Sequence, residues 1–156
     1  MCGIIGYVGS RPCEELILGG LERLEYRGYD SAGIALLDDD GFRTVRAVGN
    51  LAELRKAAGA PVSQATMGMG HTRWATHGRV TQANAHPHSD VSGRITVVMN
   101  GIVENYARLR SQLQDQGVVF LSETDAEVIP HLLARHDDGD LVAAMRATVA
   151  ELEGHF

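Results

Sequence analysis

A cysteine stands directly after the initiator methionine, at Cys2. It is small enough for Met1 to be trimmed, which would leave a free α-amino group on the cysteine itself. That amine has a reference pKa of about 7.7–8.0 and the thiol about 8.5. One residue would then hold a strong nucleophile and a base matched to neutral pH, with no partner needed elsewhere in the chain. Gly3 and Gly6 let backbone or substrate come close to the sulfur. On position alone, a small buried apolar residue opening a strand is the commoner reading of such a cysteine.

Three other groups have types and spacings that suit chemistry. Asn100-Gly101 follows an apolar run, and a side-chain amide beside a backbone N–H makes an oxyanion hole for a tetrahedral intermediate. Taken alone, the same dipeptide reads as a hairpin turn. In HTRWATHG, residues 71–78, Arg73 offers a planar fork for a carboxylate, and Thr76 and His77 can add shorter hydrogen bonds. A strand end with a surface arginine is the plainer alternative, an uncomfortable one for so polar a stretch holding a tryptophan. In SETDAE, residues 122–127, Asp125 is placed either to cap a helix, its commonest role, or to pair with a substrate ammonium. His71, His77, His86 and His88 suggest a metal, but Pro87 between the last two and the lack of clustered Cys or carboxylates match no ligand pattern. No metal is expected.

These groups need a frame. An apolar stretch at 3–8 reads as a buried strand and 13–24 as an amphipathic helix with Pro12 near its first turn. The glycine-punctuated EYRGYDSAG is a polar turn. Strands at 33–37 and 42–48 flank the acidic turn 38–41 as a hairpin. Residues 51–58 read as a helix and 66–71 as a strand. The polar segment 72–94 is longer than an ordinary loop, and such loops commonly carry function. A β-branched strand is expected at 95–99, then helices at 105–116, 125–135 and 141–152. Grouped strands and helices make an α+β or layered-sandwich fold. The last three residues, Gly154 to Phe156, stop where another strand would begin, so the fold is expected to continue past them.

Length and composition narrow the class. The 156 residues suit one domain, and 44% apolar residues allow a buried core. A net charge of -6 without a Lys/Arg cluster argues against nucleic acid as a partner. No apolar run approaches the roughly 20 residues that cross a bilayer, so no membrane partner is expected. The start lacks the basic leader of a signal peptide. Two cysteines, Cys2 and Cys13, are too few for a disulfide scaffold. A reduced, cytoplasmic protein is the expectation.

In order along the chain, CGIIG, EYRGYDSAG, HTRWATHG, NAHPH, MNGIVEN and SETDAE resemble the motifs of class II glutamine amidotransferases, the N-terminal nucleophile type. The match spans nearly the whole chain. EYRGYDSAG and HTRWATHG are most similar to the glutaminase domains of the glutamine–fructose-6-phosphate aminotransferases (isomerising). The resemblance implies a four-layer αββα sandwich of N-terminal nucleophile hydrolase type, with residues 1–156 as one amidotransferase domain truncated at its C-terminus. It implies that Cys2 attacks the side-chain amide of L-glutamine through a γ-glutamyl thioester, its own α-amine handling the proton. Asn100 and Gly101 would stabilise the oxyanion. Arg73, Thr76 and His77 would hold the substrate α-carboxylate; Asp125 and the Gly101 carbonyl would hold its α-ammonium. Trp74 matches a residue that helps gate ammonia, and Arg27 lies in a motif lining the nucleophile's surroundings. No metal or organic cofactor is implied.

The family's acceptor half, a pair of sugar-isomerase domains binding fructose 6-phosphate, is expected to lie outside these 156 residues. This chain alone is therefore expected not to make glucosamine 6-phosphate, and the full-length enzyme is expected to be a homo-oligomer. Met99 departs from the family, which often carries histidine before the Asn-Gly pair; little effect is expected because the oxyanion donors remain. Two alternatives stay open: another class II glutaminase, of phosphoribosyl amidotransferase or asparagine synthetase type, and a non-catalytic glutamine-binding module. The presence of Cys2 weighs against the second.

Overall fold

The computed structural model describes residues 2–28, 30–60 and 63–156. The expected trimming of Met1, and Tyr29 of the EYRGYDSAG motif, lie outside the described residues. Four strands make an antiparallel sheet in the order β1 (Gly3–Val8), β4 (Met67–Arg73), β2 (Ser31–Asp38), β3 (Gly41–Val48). The hairpin expected across the acidic turn forms and runs further than the apolar pattern indicated, from Ser31 opposite Val48 to Asp38 opposite Gly41.

Side-chain alternation assigns the faces of this sheet. On β2, Ala32, Ile34 and Leu36 join Ile17, Leu18 and Leu21 of α1 (Glu14–Leu24) and Leu51 and Leu54 of α2 (Leu51–Ala58) in one core. Glu14 falls on the buried side of α1 and is 2% exposed; Arg43 of β3 pairs with it at 3.2 Å and donates to the Ala58 carbonyl at 3.0 Å. Two helices are thereby tied to one edge strand. Asn50 caps α2, its side chain accepting from Glu53 N at 3.3 Å.

The opposite face of the sheet meets the second half of the chain. There β5 (His88–Ser89) pairs with β6 (Thr96–Val97), and β7 (Ile102–Val103) with β8 (Gly154–His155). Helices α3 (Tyr106–Asp115), α4 (Val128–His136) and α5 (Leu141–Glu151) close the far side, around Val103, Leu109, Leu113, Val128, Leu132 and Leu133. The layers therefore run helix, sheet, strands, helix, in the αββα order, with two short ribbons as the second strand layer. The strand expected at the chain's end is β8. Among the described residues, no helix is long and apolar enough to cross a membrane.

Two further elements are reshaped by side chains from neighbouring segments. The strand over 95–99 shrinks to Thr96–Val97 because side chains take its ladder groups at both ends. Asp90 Oδ1 accepts Ile95 N at 2.7 Å, and His86 Nδ1 accepts Met99 N at 3.3 Å. The helix over 125–135 begins as a 3₁₀ turn, Asp125–Glu127, before α4. Its two carboxylates serve neighbouring segments instead of their own helix: Asp125 accepts Val103 N, and Glu127 accepts Leu121 N and Ser122 N.

Gly33 marks a close approach of the two halves. A Cβ there would sit 2.2 Å from the His86 carbonyl oxygen and 2.9 Å from that of Val45, both backbone atoms held by strands or loops. Gly33→Ala is expected to destabilise the protein by about 1–3 kcal/mol, the usual cost of overpacking. Urea denaturation checks this; an unchanged midpoint would mean the layers can part freely.

Candidate active site

The sheet register places the nucleophile candidate. Gly3 opens β1 opposite Thr72, and Gly3 N donates to the buried Thr72 Oγ1 at 3.1 Å. Cys2 is thereby set against the residue that follows β4. Trp74 N donates to Cys2 Sγ at 3.3 Å, and the thiol lies 3.6 Å from the Trp74 carbonyl. From the other side, Asn100 Nδ2 donates to the Cys2 carbonyl at 3.4 Å.

A cleft of about 580 Å³ opens over this sulfur, lined by Cys2, Arg27, Trp74, Thr76, Asn100, Gly101, Ile102, Glu104 and His155. A smaller recess shares Cys2, Trp74, Thr76 and Gly101 and adds Arg73, His77 and Asp125. All nine residues singled out in the sequence thus line one or both. Trp74 is 47% exposed and stands at the mouth. Gly101 has φ +141, and a Cβ on it would meet the His155 carbonyl at 2.2 Å, so β8 packs directly on the Asn-Gly turn. Another cleft, of about 440 Å³ between the Asp90 turn and α4, is lined by no cysteine.

The loop after β4 is held from both sides. Arg73 is 4% exposed and donates to the carbonyls of His77 (2.5 Å), Gly78 (3.3 Å) and Arg79 (3.2 Å). Its fork, read from the sequence as open to a carboxylate, thus also fastens the loop. Asp30 accepts from Ala75 N and from Ser31 Oγ, and lies 4.0 Å from Arg73. His77 Nε2 meets Tyr106 Oη at 2.9 Å, which joins the loop to α3. Asp125 is 5% exposed and does not cap a helix; its Oδ2 accepts Val103 N at 2.8 Å.

Behind the Asn-Gly turn stands a wall of histidines that the motif reading left without a role. His71 Nε2 lies 3.0 Å from Asn100 Oδ1 and 3.2 Å from the Met99 carbonyl. Its ring stacks on that of His86 at 4.3 Å, and His86 meets His88 edge-on at 4.6 Å. His88 Nε2 continues to Thr124 Oγ1 at 3.0 Å, then to Ser122 and Glu127. Burial pushes His71 down to about 4 and His88 to about 3, and holds His86 well below its ordinary value. At the far end, burial would raise Glu127, but His131, 3.7 Å away, and hydrogen bonds from Leu121 N, Ser122 N and Ser122 Oγ outweigh it and hold the carboxyl at about 2. Met99 contributes through its backbone, at N and at O.

Sequence reasoning also passed over Asn105, the last residue of MNGIVEN. Its Nδ2 donates to the Glu151 carbonyl at 2.8 Å and its Oδ1 accepts Glu153 N at 3.1 Å, fastening the entry to β8. Strand alternation was the available signal for His71, since it shares a face with Arg73 while Thr72 points the other way. Cys13 is fully buried in the core under α1, and burial raises its thiol. It is no nucleophile, but its packing matters.

Among solved structures, the glutamine phosphoribosylpyrophosphate amidotransferase of B. subtilis, complexed with ADP and GMP, aligns over 99% of this chain and 33% of its own, with TM-score 0.83 and 25% identity. A structure described as the allosteric regulatory enzyme of purine biosynthesis aligns over 99% and 34%, with TM-score 0.84 and 26% identity. The α+β fold is accordingly of N-terminal nucleophile hydrolase type. The family model for the glutamine amidotransferase domain matches residues 55–147, and the chain belongs to that family. Curated glutamine–fructose-6-phosphate aminotransferases (isomerizing) from Symbiobacterium thermophilum and Gloeobacter violaceus are each 54% identical across the whole chain, and that of Aquifex aeolicus 53%. The chain spans about a quarter, 26%, of the length of these relatives.

The histidine wall makes stability depend on pH. An unfolded histidine titrates near 6.5, whereas folded His71 does so at about 4 and His88 at about 3. Below 6.5 the unfolded chain takes up protons that the native wall refuses, so this contribution is full above 6.5 and is lost as pH falls through the folded values. The low Glu127 value acts only below about 4.5. Urea midpoints are expected to fall between pH 6.5 and 4.5, and His88→Gln to flatten that slope by close to one proton. A flat profile in the unsubstituted protein would contradict a buried neutral wall.

Proposed function

We propose that this chain hydrolyses L-glutamine to glutamate and ammonia with Cys2 as nucleophile. The observation that carries the reading is the convergence, in one cleft, of the Cys2 sulfur, the Trp74 N–H and the Asn100-Gly101 turn. With Met1 removed, the Cys2 α-amine accepts the thiol proton as sulfur attacks the glutamine side-chain carbonyl carbon. The C=O electrons move to oxygen, where the Asn100 Nδ2 and Gly101 N–H groups meet the developing charge. Collapse breaks the C–N bond; the amine returns its proton to the leaving nitrogen, and ammonia departs. Water then cleaves the γ-glutamyl thioester, giving glutamate and free thiol.

Recognition would use both charged ends of the substrate, which selects free glutamine over a peptide glutamine. Arg73, Thr76 and His77 take the α-carboxylate; Asp125 and the Gly101 carbonyl take the α-ammonium. Trp74, exposed at the mouth, would gate ammonia, with Arg27 beside it as support. The ammonia would pass to fructose 6-phosphate on sugar-isomerase domains of a longer, homo-oligomeric polypeptide, making glucosamine 6-phosphate. Identity above 50% to the aminotransferases, against 25–26% to the two purine-pathway neighbours, favours this acceptor.

Cys2→Ala is expected to abolish glutamate release with an unchanged denaturation midpoint, while Cys13→Ala keeps the activity. A glutamine-like electrophile should add once, at Cys2; an adduct on Cys13 would overturn the assignment. Arg73→Ala should raise the glutamine KM, since a charge-assisted contact is worth about 1.5–3 kcal/mol. Because Arg73 also fastens the loop, Arg73→Lys should recover the midpoint more fully than the KM. An unchanged KM in both variants would remove Arg73 from substrate binding.

A further inference from the structure

We infer that His71 is a positioning residue for this reaction, acting only through the Asn100 side chain, whose amide it orients so that N–H and not C=O faces the Cys2 main chain. The inference rests on the glutaminase reading for its kinetic consequence, though its structural content stands independently.

Both neighbours of His71 Nε2 are carbonyl oxygens, Asn100 Oδ1 at 3.0 Å and Met99 O at 3.2 Å. Neither can donate, so Nε2 carries the ring proton. Nδ1 is then the unprotonated nitrogen; it is buried and has no hydrogen-bond partner among the described residues. On its other side, Asn100 Nδ2 faces the Cys2 carbonyl at 3.4 Å, which can only accept. The amide is wedged between a fixed donor and a fixed acceptor. Turning it over would set N–H against N–H and oxygen against oxygen, and would present a lone pair where negative charge must develop.

The histidine itself is held. His86 stacks on it with ring planes 16° apart, and Met99 N in turn anchors His86 Nδ1 at 3.3 Å. His71 is 1% exposed, so its own ring is shielded from water. Met99, between the two histidines and Asn100, meets both through main-chain atoms, while its side chain packs against the second core.

His71→Leu removes the donor, and His71→Gln places an amide N–H near the position of Nε2. In 15N-labelled protein, the Asn100 side-chain amide protons should show cross-relaxation to Cys2 in the unsubstituted protein and in His71→Gln, and lose it in His71→Leu. Glutamate release should show kcat falling on the order of 10²-fold in His71→Leu, as for one lost oxyanion donor. KM should stay within about threefold, the pattern of an interaction made only in the transition state. His71→Gln should recover about tenfold or more of that loss, and in an Asn100→Ala background His71→Leu should have no further effect. A further loss in that background, a change confined to KM, or retained cross-relaxation in His71→Leu would overturn the inference. A protein that releases no glutamate yet shows the amide behaviour would refute the glutaminase reading while sustaining the orienting role.

Discussion

The antiparallel pairing of β1 with β4 is the constraint on which everything else depends. It sets Gly3 opposite Thr72 and closes the pair with a buried hydrogen bond to a hydroxyl. That single register decides that Cys2 faces the backbone of Trp74. A slip of one residue would turn His71 and Arg73 toward α1 and bring Thr72 to the cleft, because strand faces alternate. The segment that bears the sulfur and the segment that bears the loop are thus one structural unit.

The second half of the chain supplies the other wall of the cleft. The Asn-Gly turn is pressed from behind by His71 and from the far side by β8, whose entry Asn105 fastens. Burial keeps the three histidines neutral, so they serve as oriented dipoles and packing surfaces behind the Asn-Gly turn. Gly33 lets the His86 carbonyl approach β2 and thereby seats this wall against the sheet.

Much of this was legible in the sequence where the signals are local. Period-two and helical patterns located β1, β2, β3 and every long helix to within a few residues, and α2 matched at both ends. Legibility ended where side chains from distant segments take backbone groups. Asp90 and His86 trimmed the strand over 95–99, and Asp125 and Glu127 tightened the start of α4. The candidate site was named residue by residue only through six ordered motifs; single features left Cys2 and the Asn-Gly pair as commonplace. Missing from that reading were the partners: the Trp74 N–H on sulfur, the loop carbonyls under Arg73, Asp30, Asn105 and the stacked histidines. Apart from the loop under Arg73, these join residues many positions apart, and periodicity carries no information about such contacts.

The measurement that tests the central claim most directly is acid-quenched peptide mapping during glutamine turnover. The account predicts a γ-glutamyl thioester on a peptide that begins at Cys2 and lacks Met1. An acyl group on any other residue, or turnover by a protein that retains its initiator methionine, would contradict it.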